Sequence, residues 1–74
     1  MKRIELTDAQ IKVIQEQLDG KIEVSTATPE QQIELTSVVN MAEGLIEELD
    51  AYDELDNYNF DLIKWFYEKY KSQN

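Results

Sequence analysis

Cysteine and histidine are both missing from this 74-residue chain. Without cysteine there is no disulfide staple, no thiol nucleophile and no thiolate zinc site, and without histidine no histidine-based triad can be built. Proline occurs once and glycine twice. There is no Gly/Ser linker, internal repeat or low-complexity tract. A cysteine-free composition fits a reducing compartment best. The opening Met1-Lys2-Arg3 is followed by Ile4-Glu5-Leu6-Thr7-Asp8 rather than by an apolar run, so it does not read as a signal peptide. No stretch approaches the roughly 18–20 apolar residues needed to span a bilayer. These absences predict a soluble cytoplasmic protein. Its length predicts one domain over residues 1–74, and a core in so short a chain rarely supplies more than about 3–5 kcal/mol.

Positive charge is also scarce, with 7 Lys and Arg against 16 Asp and Glu, a net charge of −9. Between Lys21 and Lys64 there is no Lys or Arg, and that interval holds 11 acids. Such a surface repels nucleic-acid phosphates and anionic membranes. A basic protein partner is the natural complement.

What is present is mainly helical pattern. Thr28-Pro29-Glu30-Gln31 is a capping box with proline at the first helical position. At 100° per residue, Leu35, Val38, Val39, Ala42, Leu45, Ile46 and Leu49 fall in one arc of roughly 120°, the width of a core-facing stripe. Tyr52 lies at the edge of that arc and Asp53 would fall inside it. The predicted helix therefore runs from Pro29 to Tyr52, about 36 Å.

Glu43, Glu47 and Asp50 line one flank of this helix, and Glu54 continues the line if the helix frays late. Like charges at this spacing repel by roughly 0.2–0.5 kcal/mol per pair, and the C-terminal half of a helix disfavours anions. Gly44 costs about 1 kcal/mol relative to alanine. It signals either close approach of another helix or tolerated instability.

Thr7-Asp8-Ala9-Gln10 is a second capping box, and Leu6 with Ile11 suits a hydrophobic staple. This first helix spans Asp8 to Asp19, with Ile11, Ile14 and Leu18 on one face and Gly20 placed for a left-handed cap. Lys21 to Thr26 alternates like a short strand. It either pairs with Met1–Leu6 as a two-stranded ribbon or forms an extended connection that docks Ile22 and Val24. Asn57 or Asn59 can cap a third helix, Phe60 to Lys71, with Phe60, Ile63, Phe66, Tyr67 and Tyr70 on its core side and Leu62 at the margin. Leu55 and Tyr58 are anchors in the acidic turn before it. The short connections predict an all-α fold: a small antiparallel three-helix bundle with a long central helix and a possible N-terminal β-ribbon. In that arrangement Lys2 and Arg3 approach Asp50 or Asp53, and Lys69 and Lys71 approach Glu30 and Glu34.

Three apolar side chains stand apart from these faces: Trp65 on the polar side of the third helix, Met41 on the outer edge of the long one, and Val13 opposite Ile11. They either mark a surface for a partner or for self-association, or, for Trp65, a helix buried on two sides or a side chain that covers a neighbouring loop. The partner-binding set is therefore Met41, Glu43, Glu47, Asp50, Glu54 and Trp65.

Metal and catalytic chemistry lack their parts. The twelve residues from Asp50 to Asp61 are rich in oxygen donors. A calcium loop, however, needs an oxygen where Tyr52 stands, glycine where Leu55 stands, and a long bidentate glutamate where Asp61 stands. A magnesium site for phosphate chemistry needs carboxylates from a second helix and a cationic group. The first helix offers only Glu16 and Asp19, and the acidic interval holds no base. No nucleophile or cofactor loop is present, so neither an enzyme nor a cofactor is expected. Two functions remain. One is a non-enzymatic interaction module, a small regulator or inhibitor working through its acidic flank and exposed apolar residues. The other is an acidic mimic of nucleic acid that occupies the groove of a basic DNA- or RNA-handling protein, by analogy with inhibitors that phages carry.

Overall fold

The computed structural model describes residues 3–23 and 25–73. Three α-helices form in order: α1 (Asp8–Leu18), α2 (Pro29–Leu49) and α3 (Tyr58–Ser72), with a single 3₁₀ turn, Tyr52–Glu54, between the last two. The radius of gyration is 11.9 Å, close to the roughly 11 Å expected for a compact domain of this length. No described helix is long and apolar enough to cross a membrane.

Both predicted capping boxes close. The Thr7 hydroxyl accepts from the Gln10 amide at 3.1 Å while the Gln10 carboxamide accepts from the Thr7 amide at 2.9 Å. Thr28 and Gln31 repeat the exchange at 3.2 and 2.8 Å. Gly20 ends α1 with φ 75°, and the Gly20 and Lys21 amides donate to the Gln17 and Glu16 carbonyls. That pattern occupies two of the last free carbonyls of the helix.

The long helix stops three residues short of the predicted Tyr52. Asp50 takes the left-handed conformation, φ 50°, and the Asp50 and Ala51 amides turn back to Glu47 and Ile46. Stopping here buries Ala51 and folds the 3₁₀ turn back toward α3, whereas a continued helix would have carried Asp53 into the apolar arc.

No strand forms among the described residues, so the ribbon is not formed there. The reason is local: the Glu23 carbonyl accepts from the Thr26 and Ala27 amides, and the Thr26 hydroxyl accepts from the Glu23 amide. This closes a turn where the alternation suggested a strand. Ile22 docks on the core as a connection would; Val24, Met1 and Lys2 lie outside the described residues. The extended arm 3–6 is held instead by Gln73, whose carboxamide accepts from the Ile4 amide at 2.9 Å and donates to the Ile4 carbonyl.

The core is built around α2, which buries Leu35, Val38, Ala42, Leu45 and Ile46 against Val13 and Ile14 of α1 and against α3. Val13 is thus a core residue rather than the outward one its wheel position suggested; Leu18, expected on the buried face, is 42% exposed. In α3 the buried residues are Leu62, Ile63, Trp65 and Phe66, and Phe60, expected in the core, is 82% exposed. The whole buried stripe of α3 is rotated from the expected one toward Trp65. Gln10 to Ser37 and Gln15 to the Tyr67 hydroxyl add polar links from α1 to the other two helices.

Candidate functional site

The predicted partner-binding residues do not form one surface. Trp65 is buried and its indole N–H donates to Glu54 Oε1 at 3.0 Å. Burying a tryptophan requires an acceptor for that N–H, and the 3₁₀ turn after α2 supplies it. Lys69 reaches the same carboxylate at 3.3 Å and sits 5.7 Å from the centre of the Trp65 ring. The hydrogen bond from Trp65, then Lys69, holds the Glu54 carboxyl below its ordinary value. Glu54 and Trp65 thus form a clamp between the 3₁₀ turn and α3, which withdraws Trp65 from the surface while Glu54 stays exposed. Lys69 was expected near Glu30 and Glu34, as was Lys71, which instead lies 4.9 Å from the Tyr67 ring centre.

Met41 is half-buried. It shares a shallow recess with Gly44, Leu45 and Phe66 on the helices and Ile4 on the arm. A Cβ on Gly44 would meet nothing within 4 Å, so close helix approach does not explain that glycine.

Glu43, Glu47 and Asp50 remain exposed, and the Glu54–Lys69 contact is the sole ion pair among the described residues. No described group of three or more carboxylates is gathered at metal-ligating distance. One of the three, Glu43, does belong to a larger feature. It lines a groove of about 610 Å³ bounded by the end of α1, by Gly20, Ile22 and Glu23 after it, by the middle of α2 and by the start of α3. Leu62 and Ile63 lie deepest, Val39, Ile22 and Tyr58 are half-buried, and Leu18 and Phe60 stand exposed at its edge. Glu23 is the second acid, and no Lys or Arg among the described residues lines the groove. Gln17 lines it too, and its Oε1 is buried without a hydrogen-bond donor among the described residues.

Tyr58 stacks on Tyr52 with ring centres 6.0 Å apart and planes 20° from parallel. Its hydroxyl pKa is raised, first by burial, then by the charge of Glu43, then by Tyr52. An apolar trough with an aromatic lip and acids at its margin is suited to holding an apolar side chain flanked by cations.

Phe60 and Leu18 were not among the sequence candidates. The signal for Phe60 lay in the spacing of Leu62, Ile63, Trp65 and Phe66 at i, i+1, i+3 and i+4. Centring the helix on that quartet turns Phe60 outward. Compared with known protein families, characterised proteins and solved structures, the chain matches none.

Proposed function

We propose that the protein is a non-enzymatic binding module, a small regulator or inhibitor that docks a basic protein partner in the groove beside Glu43. The observation that carries this reading is the composition of the groove: apolar walls, Phe60 exposed at the lip, Glu23 and Glu43 at the margin, and no base. Exposed aromatic side chains at the edge of an apolar depression are typical anchors of protein interfaces. The surrounding negative charge steers a cationic partner and rejects acidic ones. The contact set becomes Phe60, Leu18, Glu43 and Glu23, with Glu47 and Asp50 extending the acidic field and Met41 outside the groove. The cysteine-free composition supports a reducing compartment such as the cytoplasm as the setting of this activity.

The test is affinity capture from the cells that make the protein, in parallel with Phe60→Ser and with the double reversal Glu43→Lys, Glu47→Lys. A basic protein retained by the wild type and lost from both variants supports the reading. Retention of the same partner by both variants excludes the groove as the contact.

A second reading is favoured by one observation: Glu43 and Glu47 on α2 and Asp50 at its C-cap stay exposed and form no ion pair among the described residues. In it the acidic flank substitutes for phosphates and inhibits a nucleic-acid-handling protein. That binding would be displaced by nucleic acid and by salt, weakened by the double reversal, and indifferent to Phe60→Ser. The response to Phe60→Ser separates the two readings.

A further inference from the structure

The groove does not end at Glu43. A smaller recess of about 200 Å³ is lined by Gln32, Leu35, Thr36 and Val39 of α2, and Val39 also lines the larger groove. Together the two depressions follow the residues at positions 32, 35, 36, 39 and 43. That is the i, i+3, i+4, i+7, i+11 row of one helix face. The row is about 16 Å long, three helical turns. The two depressions therefore share one face of α2 and meet at Val39.

Resting on the binding-module reading, we infer that the occupant is an amphipathic, cationic α-helix of about three turns contributed by the partner, laid along this face of α2 as a fourth helix. Three observations select it. No strand, and so no free sheet edge, exists among the described residues to add an extended peptide through its backbone. The trough contains Glu23 and Glu43 and no base, so the flanks of the occupant carry Lys or Arg. Leu18 and Phe60 stand exposed at the edge of the trough, so the occupant brings an apolar face to cover them. A second copy of the chain fails on charge: each copy carries −9, and pairing would set acids against acids. Phe60, exposed at the edge of the α3 side, then closes over the helix like a thumb.

The test uses two synthetic Leu/Lys/Ala peptides of identical composition and length. One places leucine at helical i, i+3, i+4, i+7 spacing and the other at alternate positions. Each is titrated by fluorescence anisotropy against the full chain and three variants. Thr36→Lys puts a cation in the exposed middle of the row, Phe60→Ser removes the lip, and Ile33→Ser alters an exposed apolar residue that lines neither depression. The expected result is binding of the helix-patterned peptide at least about tenfold tighter than its isomer, a gap of ~1.4 kcal/mol. Thr36→Lys and Phe60→Ser weaken it by about tenfold each and Ile33→Ser leaves it unchanged. Equal binding of both peptides, or preference for the alternating one, overturns the helical occupant. If that binding is still lost in the Glu43→Lys, Glu47→Lys chain, the binding-module reading survives. Failure of both peptides to bind at low salt overturns the two together.

Discussion

Trp65 and Glu54 are joined directly, the indole N–H donating to Oε1 over 3.0 Å. The bond fixes the 3₁₀ turn against α3 and explains why the lone tryptophan can be buried on the face of α3 that carries its charges. It also takes one carboxylate out of the acidic flank and pairs it with Lys69.

The Glu54 clamp has a definite pH signature. Its carboxyl is held below the ordinary 4.5 by Trp65 first and Lys69 second. The unfolded chain therefore binds this proton more tightly than the folded one. The clamp stabilises above about 4.5 and that contribution is lost as pH falls through the lower folded value. Glu54→Gln keeps an acceptor for the indole but no charge for Lys69. Thermal melts of both proteins are expected to differ at neutral pH and to converge on acidification. A gap that widens below that range would contradict the pairing.

The left-handed residue that ends α2 is an aspartate, not a glycine. An L-residue there carries strain of roughly 1 kcal/mol, which aspartate only partly escapes. Its charge also opposes the helix dipole. Asp50→Gly is expected to raise unfolding free energy by about 0.5–1 kcal/mol in urea titrations, and Asp50→Val to lower it.

Gly44 stands in open space within α2. Gly44→Ala should stabilise the fold by about 0.5–1 kcal/mol through helix propensity alone. A loss of stability in the same titration would reveal a clash that the geometry does not contain.

Two phenylalanines six residues apart should behave oppositely. Phe66 is 1% exposed and Phe60 is 82% exposed. Phe66→Ala removes about 3–5 kcal/mol, as much as the whole core of so short a chain supplies. Circular dichroism should find that variant largely unfolded at room temperature. Phe60→Ser should stay within about 0.5 kcal/mol of the wild type.

The parts of the fold governed by local chemistry were legible in the sequence. Thr7, Thr28 and Gly20 sit where capping demanded, and the arc expected from Leu35 to Leu49 faces the core as far as Ile46, with Leu49 39% exposed. The rotation of α3 was not legible. Its apolar and aromatic residues surround the helix, so periodicity admits more than one buried face. The choice falls to a tertiary partner, Glu54, which satisfies Trp65 from outside the helix. Val13 misled for a related reason: it lies 100° from Ile14, and which side of Ile14 turns inward depends on how α1 meets the other helices. Of the proposed contact residues, Glu43 was singled out by its charge pattern. The groove around it was hidden, because its walls come from three separated segments and its lip, Phe60, looked like core.

Gln73 and Ile4 are 69 residues apart and exchange two hydrogen bonds. Closing so long a loop costs roughly 4 kcal/mol of chain entropy, against about 1 kcal/mol net for each bond. The latch therefore cannot lead the folding process; it engages only once the helices have already carried the two segments together. The Ile4 amide is accordingly a built-in witness to completion. In hydrogen exchange it should be among the last amides to gain protection during refolding and among the first to lose it when the ends fray.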